Sequence, residues 1–201
     1  DKLDAQRLAM FLMLGELRCI RIPSIQEELS RQLTRTRAQL VREKSKIGNQ
    51  IKARLHLFGY LTPTLDKPMS TTLVKKIERL KMPTELSAAI SSQSSIYKTL
   101  SNEVGALNKT IKRSPSNSNL LKIYRSVPGV GEIWSHTLAN ELWDMSDFPN
   151  EEAIFKYVGL TCTEQSSGDH HYQGHIAKDG RSILRWVLIE IAWKAIDQDQ
   201  N

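Results

Sequence analysis

The sequence predicts a mainly α protein: a long antiparallel helical hairpin of coiled-coil type, followed by a small helical domain with a helix-hairpin-helix element. Three observations carry this expectation. Two long stretches repeat apolar residues at spacings of threes and fours. A polar, proline-containing segment, Ser114 to Asn119, divides them from the rest of the chain. Beyond it, glycine and aromatic content rise, and short helical pieces flank a PGVG turn.

From Asp1 to about Ile20, Leu8, Phe11, Leu12, Leu14 and Leu17 keep a helical rhythm that ends before Pro23. Ser24 followed by Glu27 is a capping-box arrangement and opens the longest helix. Its apolar seam reads Leu29, Leu33, Leu40, Ile47, Ile51, Leu55 and Phe58, and Gly59 stops it. Gly48 inside this helix costs roughly 1 kcal/mol relative to Ala, which calls for a packing or bending reason. A connector with Pro63 and Pro68 leads to helical runs around Leu73, Ile77 and Leu80 and around Leu86 and Ile90. A second long helix, marked by Ile96, Leu100, Val104, Leu107 and Ile111, is expected to pair antiparallel with the first. The chain thus divides into 1–22, a hairpin over 23–113, a linker at 114–119 and a C-terminal domain over 120–201. That domain closes with an amphipathic helix from Ser182 to Ile196, in which Leu184, Val187, Leu188, Ile191 and Ala195 share one face.

Hydrophobic residues make up 40% and charged residues 25%, the balance of a soluble globular protein. The most apolar stretch, Ile183 to Ile196, is interrupted by Arg185, Glu190 and Lys194, so it reads as a core helix and no membrane span is expected. Cys19 and Cys162 lie far apart in no metal-ligand spacing and read as buried free thiols of a reducing cytoplasm. His170, His171 and His175 with Cys162 match no standard zinc spacing. Trp134, Trp143, Trp186 and Trp193 fall at helical positions and read as core.

A net charge of +6, from 28 basic and 22 acidic residues, suits a polyanionic partner, and its distribution matters more than its sum. Between Arg31 and His56 stand eight Lys/Arg residues and a single acid, Glu43. At about 100° per residue, Arg31, Arg35, Arg42 and Lys46 gather opposite the apolar seam, a face suited to DNA phosphates. The competing reading is a solvated helix face with no ligand, although such faces usually alternate charge sign. In the turn Ser126-Val127-Pro128-Gly129-Val130-Gly131, Gly129 and Gly131 can leave amides free at a helix N-terminus to hold a phosphate. A plain helix–helix turn is the alternative, and Glu132 would repel phosphate somewhat.

Tyr157 to Gly168 reads as a helix end entering a glycine-bearing loop that runs on to Gly180, and Ser167-Gly168 on such a loop can present a nucleophilic hydroxyl. Four blocks then occur in sequence: SVPGVGEIWSHTLANEL, FPNEEAIFKYVGLT, SSG and GHIAKDGRSILRWVL. From about Leu120 to Ala195 this order closely resembles the C-terminal domain of insertion-sequence transposases of the DEDD type, relatives of Piv-type DNA invertases. The basic stretch LTRTRAQLVREKSKIGNQIKARLHLFGY resembles their middle region.

The resemblance implies a DNA-recombining protein in which Ser167, directly before Gly168, attacks a DNA phosphodiester. It implies an N-terminal RuvC-like nuclease domain whose four acids bind Mg²⁺, with Asp1 and Asp4 matching the last two in a D-x-x-D stretch. Helix N-terminal charges complementing the dipole are the alternative for that pair. Residues 1–22 would then be the remnant of that domain, and a fragment without the other two acids is expected not to cut DNA. Cys162 stands where the family usually has proline. Lys178, Arg181 and Arg185 would neutralise phosphate oxygens, or serve as exposed charges at a helix start. A bacterial cytoplasmic location, a homo-oligomer and an element-encoded guide RNA are further implications. The rival expectation is a non-catalytic DNA-binding or oligomerisation module.

Overall fold

The computed structural model describes residues 2–17, 22–114, 118–167 and 170–199, with the backbone alone at 164–167, 170–173 and 198–199. The architecture is mainly α, as expected, with eight α-helices and one two-stranded sheet among the described residues.

Helix α1 (Lys2–Met13) has no buried residue: Leu8 is 58% exposed and Leu12 69%. Helix α2 (Ile25–Leu57) begins where the capping box placed it. The Glu27 amide donates to Ser24 Oγ at 3.3 Å, and the Ser24 amide donates to Glu27 Oε2 at 2.5 Å. After α2, Gly59 adopts φ +73, a left-handed conformation that glycine tolerates without a Cβ penalty.

A connector and the short helix α3 (Thr71–Ile77) lead into α4 (Thr84–Arg113). The run around Leu86 and Ile90 is therefore not a separate piece. Pro83 stands at the N-cap, and nothing between Ile90 and Ile96 breaks the helix. Helices α2 and α4 pack antiparallel, since Arg37 bonds Asn108 while Gln50, further along α2, bonds Gln93, earlier in α4.

The seam of this hairpin differs from the leucine row that periodicity predicts. Leu29 and Phe58 are each 57% exposed, whereas Glu27, Thr34, Gly48 and Leu55 are buried at multiples of seven residues. On α4, Ile90, Tyr97, Val104 and Ile111 follow the same interval. Small and polar side chains thus share the seam with large apolar ones. Gly48 shows the packing reason for its presence: a Cβ there would meet Met69 at 3.1 Å and the Tyr97 ring at 3.5 Å. An apolar core of Ile51, Leu55, Leu65, Leu73, Ile77, Leu86 and Ile90 closes the far end of the hairpin.

The C-terminal unit comprises α5 (Ser118–Ser126), α6 (Glu132–Leu142), a 3-10 turn (Met145–Asp147), α7 (Glu151–Val158), strands β1 (Cys162–Ser167) and β2 (His170–Ile176), and α8 (Ser182–Asp199). Val130, Leu138, Leu142, Val158, Leu184, Val187 and Ile191 form its core. The expected loop between Thr161 and Gly180 is instead largely an antiparallel β-hairpin in which Ser167 pairs with His170. Trp193 is 64% exposed, and Cys162 is an exposed free thiol, so neither is a core residue; Cys19 lies outside the described residues. Helix α6 packs on both α2 and α4 and joins the C-terminal unit to the hairpin.

Candidate nucleic-acid interface and serine hairpin

The cations of α2 divide into two groups. Arg31 is only 2% exposed, which corrects its expected place on an open basic face. Its Nε donates to the Asn140 carbonyl at 3.0 Å, and Nη2 donates to the Glu141 carbonyl at 3.4 Å. Carbonyls at a helix C-terminus lack intrahelical partners, so a guanidinium is well suited to the end of α6. In return, the Asn140 amide donates to the Ser30 carbonyl at 3.0 Å.

Arg35 is committed in the same way. Its Nε and Nη2 donate to Glu141 at 2.7 and 2.8 Å, and Nη1 donates to Glu28 at 2.8 Å. The hydrogen bond to Glu141 raises the Arg35 pKa above its ordinary value, against the opposing effect of burial. Arg37 bonds Asn108, Lys44 lies 5.9 Å from the centre of the Tyr97 ring, and Lys52 pairs with Asp66 at 3.0 Å. Arg42 and Lys46 are exposed and have no ion-pair partner among the described residues.

The VPGVG turn joins α5 to α6, which pack on each other. Gly129 has φ +83, and a Cβ there would come within 2.8 Å of Lys194 Cβ, so the glycine serves a close approach of α8 to the turn. Gly131 is exposed and N-caps α6, with open space where a Cβ would project. Glu132 follows it, paired with Lys112 and 4.0 Å from Arg125. The turn thus offers one open amide-bearing glycine beside an acid already held by two cations.

Ser167 is the last residue of β1. Its side chain, Asp1 and Gly168 lie outside the described residues. Downstream of the hairpin, Lys178 adopts φ 60, and its amide donates to the Gly159 carbonyl at 3.3 Å. Arg181 stands 5.9 Å from the centre of the Tyr157 ring, while Arg185 Nη1 donates to the Val158 carbonyl at 2.9 Å, capping α7. Gly159 and Gly180 hold this junction together, since a Cβ on Gly159 would sit 2.6 Å from the Gly180 amide nitrogen.

Asp4 is an exposed residue of α1. Among the described residues, no three His, Cys, Asp or Glu side chains gather to hold a metal. No helix among the described residues is long and apolar enough to cross a membrane.

Two cavities share the exposed flank of α2. One, about 680 Å³, is bordered by Arg42, Lys46, Asn49, Gln50, Ala53 and Trp186. The other, about 420 Å³, is bordered by Arg35, Gln39, Arg42, Arg181 and Ser182. Periodicity alone separates the α2 cations from Arg181, and the fold brings Arg42 and Arg181 to one cavity. Nor does periodicity reveal Asn140 and Glu141 as partners of Arg31 and Arg35. Their signal is the NEL end of an apolar helix, where an acid and an amide are turned inward.

Residues 121–201 match the family model described as Transposase IS116/IS110/IS902 family. The chain is 21% identical over 192 residues to a probable family 20 transposase of Pseudomonas aeruginosa, an alignment covering 94% of this chain and 57% of that protein. It is 25% identical over 164 residues to the transposase for insertion sequence element IS1328 of Yersinia enterocolitica, covering 80% and 48%. With the transposase for IS1111A of Coxiella burnetii it shares 21% identity over 194 residues, covering 94% and 52%. The chain spans about half the length of the curated relatives it matches.

Proposed function

We propose that this chain is the DNA-handling portion of an insertion-sequence transposase, and that Ser167 is the nucleophile that cuts and rejoins DNA strands. One observation carries this reading: the segment that matches the transposase family model contains the Ser-Gly dipeptide, and the similarity to transposases runs along nearly the whole chain.

In the proposed step the Ser167 oxygen bonds to a DNA phosphorus and the bond to the departing deoxyribose oxygen breaks. The serine proton passes to that departing oxygen. A strand held as a phosphoserine ester is released when an incoming hydroxyl reverses the exchange. Lys178 and Arg181, exposed after the hairpin, would offset charge on the non-bridging oxygens. Arg42 and Lys46 would hold neighbouring phosphates without reading sequence. Gly131 is the turn residue open to a phosphate oxygen, whereas Arg31, Arg35 and Arg185 act through the fold.

The DEDD pattern, with its RuvC-like domain and Mg²⁺, and the relation to Piv-type invertases belong to this proposal, as do a homo-oligomer and a guide RNA.

The test is Ser167→Ala in the whole reading frame that encodes this chain. Excision of the element should be abolished while DNA binding persists and falls steeply with added salt. Unchanged excision would remove the serine assignment.

A further inference from the structure

The two cavities on the flank of α2 differ in chemistry. The larger is walled by Trp186 and Ala53, with the amides of Asn49 and Gln50 on its border and Arg42 and Lys46 beside them. The smaller adds Arg181 and shares Arg42 and Ala38 with the first, so the two adjoin. Among the described residues, no Asp or Glu borders either cavity. Arg35 is already neutralised by Glu141 and Glu28, which leaves Arg42, Lys46 and Arg181 as the cations open to an anion.

An apolar wall with one aromatic ring suits a flat, weakly polar body. Amide side chains can donate to and accept from the edge of such a body, and cations at intervals match a phosphate chain. A paired base hides both its face and its pairing edge, so a duplex presents only its phosphates here. At about 680 Å³ the larger cavity has the size of a site for one small organic ligand.

We propose that this trough receives one unpaired nucleotide of a nucleic-acid strand, its base beside Trp186 and its flanking phosphates on Arg42, Lys46 and Arg181. The inference rests on the reading of the chain as a nucleic-acid-handling protein, and adds to it a site for a single strand. Trp186 is braced from behind, because its ring meets Trp134 edge-on at 6.2 Å and Lys194 caps Trp134 at 4.6 Å.

The experiment measures anisotropy of three labelled probes with the 201-residue chain: a dT strand, a U strand of the same length, and a blunt DNA duplex. Ala53→Trp fills the trough from an exposed position on α2, so the fold is spared, and far-UV circular dichroism verifies this. Affinity for the single strands should fall about tenfold or more, while duplex affinity stays within about twofold. The Arg42→Gln, Lys46→Gln pair should lower the slope of log K against log salt by about 1.4 for a single strand. Whichever strand binds the wild type tighter identifies the source of the nucleotide, DNA or RNA. Single-strand binding indifferent to Ala53→Trp, or lost in equal measure with duplex binding, overturns the trough alone. A wild type that binds none of the three probes overturns both the trough and the reading beneath it.

Discussion

Arg35 is the residue whose loss separates a structural role from a DNA-contacting one. Its guanidinium forms two charge-assisted bonds with Glu141, whose side chain is fully buried, while Arg35 itself keeps 27% exposure. Arg35→Met leaves a buried carboxylate without its partner. Breaking a buried pair in this way costs roughly 3–5 kcal/mol, and the partial exposure of the arginine places the expected loss at about 3 kcal/mol. Glu141→Gln keeps an acceptor at the same place and leaves Arg35 with Glu28 and solvent, so about 1–2 kcal/mol is expected. The double variant Arg35→Met, Glu141→Gln removes the buried charge together with its partner and should cost less than the sum of the two singles, by a coupling energy of about 2 kcal/mol. Urea unfolding at neutral pH, read by far-UV circular dichroism, measures all three. Thermal midpoints should follow, by about 6–12 °C for Arg35→Met in a chain of this size. Arg35→Met no more costly than Glu141→Gln, or a double variant equal to the sum of the singles, would refute the reasoning. A stable Arg35→Met protein that instead lost DNA affinity and salt slope would return Arg35 to the phosphate face.

Gly180→Ala should destabilise by about 2 kcal/mol or more, because its Cβ would strike the Tyr157 carbonyl and the Val158 and Gly159 backbone, which cannot yield as a side chain can. Gly105→Ala is its control: it lies inside α4 with nothing near the added methyl, and should stabilise by roughly 0.5–1 kcal/mol in the same unfolding assay. His136 is held below its ordinary pKa by burial first, with Arg125 and Lys112 acting in the same direction and Glu132 opposing. The folded state therefore prefers the neutral imidazole. Stability is full above the ordinary histidine value near 6.5 and declines as pH falls from there toward the lowered one. Thermal midpoints between about pH 7.5 and about pH 5.5 should drop in the wild type and drop less in His136→Gln; parallel curves would remove His136 as the cause. Lys178→Asn replaces a lysine in left-handed backbone with a residue that tolerates it, and should stabilise by about 0.5 kcal/mol. If Lys178 holds a phosphate, the same change lowers the slope of log K against log salt for duplex DNA by about 0.9. A Lys178→Asn protein less stable than wild type would contradict the strain argument.

Local signals located the ends of α2 and the pairing of the two long helices. Ser24 and Glu27 satisfy each other's backbone amides, and Gly59 supplies the positive φ, so both ends follow from residues adjacent in sequence. The faces are harder to read. A binary pattern turns large leucines inward, yet Leu29 is exposed and Thr34 and Gly48 are buried. What decides the burial is which position faces a bulky neighbour: Gly48 leaves the space that Met69 and the Tyr97 ring fill, and a small residue does this without marking itself as apolar. The hairpin carrying Ser167 escapes a sequence reading for a related reason. Cys162 to Ser167 shows no apolar alternation, so the period-two signal of a half-buried strand is absent. The signal it does carry is the two-residue spacer Gly168-Asp169 between the paired Ser167 and His170, the composition of a tight hairpin connection.

For the candidate site, residue type was legible and residue role was not. The density of cations between Arg31 and His56 marked α2 as a basic element, and periodicity grouped Arg31, Arg35, Arg42 and Lys46 together. The partner that divides them lies more than a hundred residues away: Arg31 bonds Asn140 across a separation of 109 positions, and Arg35 bonds Glu141 across 106. A helical wheel cannot register such a partner, because it treats every face as meeting solvent or an apolar core. The end of α6 is neither; it presents carbonyls without intrahelical partners and a buried carboxylate, and these call for cations as strongly as a phosphate would. The same basic helix therefore holds the C-terminal unit with its first two arginines and leaves Arg42 and Lys46 open beside Arg181. Removing the first pair should loosen the fold, and removing the second should weaken the grip on a strand.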